Sequence, residues 1–88
     1  MKIRQVQDSR NQHIVAIELN GELRSFFTDS SLHTCGAVIN TLRRDIARHG
    51  ESVLEFSSLP LIAVRKAKSG RKVFDTLPLT PSSTPSGD

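Results

Sequence analysis

Five cations fall within eight residues at Arg65-Lys66-Ala67-Lys68-Ser69-Gly70-Arg71-Lys72, with no acid among them. Guanidinium and ammonium groups at this density suit one kind of chemistry: displacing counterions from a polyanion and donating hydrogen bonds to phosphate oxygens. Gly70, within this run, lets a backbone approach such a ligand closely. If all five engaged duplex phosphates, log affinity would fall against log salt with a slope of roughly −4 to −5. Arg44 and Arg48 are auxiliary candidates for the same ligand. The plainer use of such a segment is a solvated turn that keeps an edge strand from pairing with another chain.

Catalytic constellations are scarcer. Cys35 and His33 are close in sequence, yet on a helix two residues apart their side chains diverge by about 200°, so they form no dyad there. Cys35 falls in an apolar stripe and is expected to behave as a small buried hydrophobe. His13, His33 and His49 have no metal-ligand spacing with Cys35 or with one another. There is no glycine-rich phosphate loop, serine elbow or paired-acid motif. The expectation is a non-enzyme without a cofactor or metal.

The elements that must position these residues follow from local pattern. Asn20-Gly21 lies between the β-rich runs HIVAIEL and ELRSFFT, the pattern of a two-residue hairpin whose type I′ turn needs positive φ at both central residues. That turn pairs Leu19 with Glu22, Ile17 with Arg24 and Val15 with Phe26 on one face. The other face then carries Ile14 with Phe27, Ala16 with Ser25 and Glu18 with Leu23. The Val15, Ile17, Leu19 and Phe26 face is expected to meet the core. Ile14, Leu23 and Phe27 then form a second apolar surface, open to a protein partner. Upstream, Lys2 to Gln7 forms a weaker strand beyond the turn-prone Asp8-Ser9-Arg10-Asn11.

Downstream, Asp29-Ser30-Ser31 supplies N-cap residue types ahead of a helix from about Leu32 to His49, with Gly50 as a left-handed stop. Its apolar stripe is Cys35, Val38, Ile39, Leu42 and Ile46, and Arg44 and Arg48 lie opposite it. Gly36 predicts either a later helix start or a close approach of backbone to sheet. Next, SVLEF alternates as a strand, broken around Pro60. Ile62 to Ala67 and Lys72 to Phe74 form a second, basic hairpin about a Lys68-Ser69-Gly70-Arg71 turn.

The order is therefore β-β-β-α-β-β-β, its first and last members resting on the weakest patterns. This is an α+β fold: a small, mostly antiparallel sheet with one amphipathic helix packed on one face. Residues 1–76 form a single domain, and the Pro/Ser/Thr-rich 77–88 a disordered tail in which Thr80-Pro81 and Thr84-Pro85 match proline-directed phosphorylation sites.

Composition bounds the whole. At 88 residues with 36% apolar and four Phe as the entire aromatic complement, the core is thin, and self-association as a homodimer is one route to sufficient burial. No apolar run reaches the roughly 18 residues of a membrane span. A lone cysteine suits a reducing setting, cytoplasmic or, in a eukaryote or virus, nuclear. The chain holds 12 basic and 9 acidic residues, for a formal charge of +3, so outside the five clustered cations it nets −2. It is a slightly acidic body bearing one basic segment. Two functions fit: a module contacting DNA or RNA phosphates through Arg65, Lys66, Lys68, Arg71 and Lys72, or a protein-binding adaptor or inhibitor using Ile14, Leu23 and Phe27 or a sheet edge.

Overall fold

Asn20 and Gly21 take φ of 53° and 82°, the paired positive values that a type I′ turn demands. They join β2 (His13–Leu19) to β3 (Glu22–Asp29), and β1 (Lys2–Gln7) pairs antiparallel with β2 to complete a three-stranded sheet in the order β1-β2-β3. The computed structural model describes residues 1–78. From residue 79 onward the tail, with Thr80 and Thr84, lies outside the described residues, and so does the part of the chain expected to be disordered there. Leu77 is still tied in, its N–H donating to the Leu61 carbonyl at 2.8 Å.

Pairing between β2 and β3 follows the expected register from the turn as far as Ala16 opposite Ser25, then shifts so that Val15 faces Phe27. Phe26 is the extra residue of a β-bulge. Opposed residues share a face, so Phe27 moves to the Val15 side, contrary to the expectation that it joins Ile14. The cause is tertiary. At the bulge the outer edge of β3 is engaged by the chain around Pro60, through an isolated bridge between Arg24 and Leu61 and a 2.8 Å bond from Ser25 N–H to the Pro60 carbonyl.

The helix α1 (Leu32–His49) has the bounds its caps imply. Ser31 Oγ accepts from Thr34 N–H at 3.2 Å, and Asp29 Oδ2 accepts from Ser31 N–H at 2.8 Å. Gly50 stops it at φ 82° and ψ 177°, a region outside the left-handed helix that only glycine takes readily. Gly36 is an interior residue of α1, and a Cβ there would meet nothing within 4 Å. Neither expectation for it, a late helix start or a close approach to the sheet, holds.

SVLEF is not a strand. Glu51–Val53 and Phe56–Ser58 are short 3₁₀ turns. Here local bonds win over alternation: Ser58 Oγ donates to the Glu55 carbonyl at 2.7 Å and Ser52 Oγ to the His49 carbonyl at 3.4 Å, while i→i+3 backbone bonds close each turn. Arg24 holds this segment down by donating from Nη1 to the Leu59 carbonyl at 2.6 Å and the Ser57 carbonyl at 3.1 Å. The chain then forms β4 (Ile62–Lys66) and β5 (Lys72–Thr76), a separate two-stranded antiparallel sheet.

Together these elements make an α+β fold of three layers, with the first sheet in the middle. Cys35 and Leu42 of α1 are buried on one side, where Cys35 Sγ–H donates to the His13 carbonyl at 3.6 Å. On the other side Val6, Ile14 and Ala16 cluster with Ile62, flanked by Leu23 and Phe74. Ile14, Val15, Ala16 and Ile17 are all fully buried, as expected for a central strand covered on both faces, which reads as a continuous apolar run and not as alternation.

Candidate polyanion-binding hairpin

Strands β4 and β5 are joined by a tight turn. Gly70 N–H donates to the Ala67 carbonyl at 2.9 Å and Ala67 N–H to the Arg71 carbonyl at 2.8 Å, with Gly70 at φ 88°. This is a three-residue hairpin loop ending in a left-handed residue, the position that favours glycine. Gly70 serves its turn first; it is exposed, and a Cβ there would meet nothing within 4 Å.

The register sets the charge pattern. Lys66 lies directly opposite Lys72, and Arg65 opposite Val73, so the two lysines share one face and Arg65 takes the other. Arg65 is committed: its Nε donates to Asp75 Oδ2 at 2.6 Å. The bonded Arg65 guanidinium, assisted by Ser9, holds the Asp75 carboxyl below its usual range. Lys66, Lys68, Arg71 and Lys72 are exposed, and among the described residues none has an ion-pair partner. Like charges directly opposite on a ladder destabilise it. The turn therefore gathers four free cations, two of them the repulsive pair, while the fifth is neutralised by an acid that sequence proximity alone did not single out.

Aromatic surface near these cations is already used. The Arg4 guanidinium lies over the Phe74 ring, 5.8 Å from its centroid, and Arg24 lies over Phe56 at 5.3 Å. Phe26, 37% exposed, is on the helix side of the sheet, beside Thr34, Val38 and Leu42. The hairpin thus presents cations and backbone without a free ring for base stacking.

Arg44 and Arg48 are exposed on α1, opposite the stripe that meets the sheet. The sheet lies between the helix layer and the β4–β5 layer, so these arginines and the basic turn form two surfaces and not one. The apolar trio is dispersed as well. Ile14 is fully buried and Leu23 half-buried beneath Ile62 and Phe74, whereas Phe27 is on the helix side. The surface expected to be open to a protein partner is covered by the chain's own second hairpin.

Cys35 and His33 are separated as the helix angle requires, the thiol fully buried and the imidazole exposed. Burial pushes the Cys35 thiol up, and the nearby Asp29 carboxylate adds to that effect, which disfavours the nucleophilic thiolate. Among the described residues no three of His, Cys, Asp and Glu gather in a metal-binding group, and no helix is long and apolar enough to cross a membrane. No family model matches the chain, and no curated protein or solved structure matches it significantly.

Proposed function

We propose that this chain is a small non-enzymatic binding module that contacts nucleic-acid phosphates through the β4–β5 turn. The observation that carries this reading is the opposition of Lys66 and Lys72, with Lys68 and Arg71 exposed beside them and without ion-pair partners among the described residues. Phosphate between the two lysines converts a repulsion into two attractions, and the flanking cations extend the track. Arg65 contributes less because Asp75 already balances it. The lack of a free ring favours phosphate contact over base stacking, hence sequence-independent binding. A lone buried thiol suits a reducing compartment, cytoplasmic or nuclear.

The test is fluorescence anisotropy with a labelled 20-base-pair DNA duplex across a sodium chloride series. Four free cations predict a slope of about −3.6 in log affinity against log salt, below the value expected for five. Replacing Lys66 and Lys72 together by Gln should shrink that slope by about 1.8, whereas Arg44→Ala with Arg48→Ala should leave it unchanged. Absence of binding at low salt, or a slope indifferent to the lysine pair, rules the reading out.

A further inference from the structure

The two outer edges of the first sheet differ. At β3 the chain around Pro60 engages the edge, its carbonyl accepting from Ser25 N–H at 2.8 Å. At β1 the end of the strand shows which groups point outward. Asp8 N–H donates to the Gln12 carbonyl at 3.0 Å, one step beyond the Gln7–His13 pair. In an antiparallel ladder, opposed pairs that bond each other alternate with pairs that do not. Lys2, Arg4 and Val6 therefore bond inward to β2, and Ile3, Gln5 and Gln7 turn their N–H and C=O groups outward. Among the described residues no backbone group bonds to those three from outside. The strand contains no proline and its register with β2 no bulge, two devices that ordinarily keep a free edge from pairing.

We propose that this edge pairs antiparallel with β1 of a second copy, about a two-fold axis at Gln5, joining the two sheets into one. An axis normal to the sheet keeps each face on its own side, and the contact is self-complementary. With Gln5 opposite Gln5, Ile3 opposes Gln7 in both halves, and every outward N–H and C=O of the two strands finds a partner. Lys2 then faces Asp8 of the second copy and Arg4 faces Val6, so no cation opposes a cation. Lys2 and Asp8 have no ion-pair partner among the described residues, and Asp8 uses Oδ1 for the N–H groups of Arg10 and Gln12. The neighbouring registers are worse: an axis at Arg4 sets like charges against each other, and an axis at Val6 leaves Ile3 without a partner in β1. The contact uses no residue of the β4–β5 turn, so it stands or falls separately from the nucleic-acid reading.

The experiment is sedimentation velocity of the full chain from about 10 µM to 1 mM, with amide exchange measured at both ends of that range. The expected result is a monomer–dimer equilibrium in which the amides of Ile3, Gln5 and Gln7 gain protection as concentration rises. A mixture of labelled and unlabelled chains should show an intermolecular Overhauser contact between Arg4 Hα and Val6 Hα. Gln5→Pro removes an outward N–H, a position where an edge strand tolerates proline, and should weaken the dimer at least about thirtyfold while keeping a dispersed spectrum. Lys2→Glu, at an exposed strand start, should weaken it about tenfold and serves should the proline disturb folding. A monomer throughout, a dimer indifferent to these changes, or edge protection that does not rise with concentration, as from a segment of the same chain, overturns the proposal.

Discussion

At the residue scale, the molecule separates groups that stabilise from groups left over. Arg24 is occupied by Glu22 at 3.1 Å, by two main-chain carbonyls and by the face of Phe56; it is a structural clamp. Cys35 is packed to zero exposure, a thiol placed as a hydrophobe. Gly36 has no such employment. It is inside α1 without a positive φ, and a Cβ there would meet nothing within 4 Å beyond the helix's own backbone. Its presence only weakens the helix, since glycine is less favourable than alanine in a helix interior by about 1 kcal/mol. Gly36→Ala should therefore raise the unfolding free energy by about 0.5 to 1 kcal/mol in urea denaturation, with an unchanged m-value. A fall in stability would mean that something packs against that position after all.

Elements set by short-range chemistry were legible from the sequence, and those set by distant neighbours were not. Asn20-Gly21 dictates its turn through backbone φ alone, and Ser31 with Gly50 closes both ends of α1 by local hydrogen bonds. The bulge at Phe26 depends on Pro60 and Leu61 reaching the outer edge of β3, a contact with no local trace. Likewise the cationic turn was visible because its charges are contiguous, whereas the loss of Arg65 to Asp75 follows from the pairing of β4 with β5. The basic hairpin itself carries a testable tension. Lys66 and Lys72 repel across the ladder, so Lys72→Glu should stabilise the fold by about 0.2 to 1 kcal/mol. The same change should weaken duplex binding and flatten its salt slope by at least about 0.9. Stability and binding moving in opposite directions would mark the lysine pair as selected for contact; a loss of both would mark it as structural.

At the scale of the whole molecule, the question that the apolar composition posed was how so small a chain covers a sheet. The β4–β5 hairpin answers it by folding over the face that α1 leaves open, so β2 is enclosed from both sides and the open sheet face that would motivate a dimer is gone. This arrangement makes the layers interdependent. Lifting the hairpin would expose Ile14 and Ala16, which are fully buried, and would break the Ser25 to Pro60 bond at the bulge. Undocking should therefore coincide with global unfolding. In native-state hydrogen exchange, the Leu77 amide bonded to Leu61 should open with the same free energy as the amides of β2, and Ile62→Ala, at a residue 7% exposed, should lower both equally by about 2 to 4 kcal/mol. If only the hairpin amides accelerated, the second sheet would be an independently opening unit, and the basic turn would be carried on a mobile arm instead of a fixed third layer.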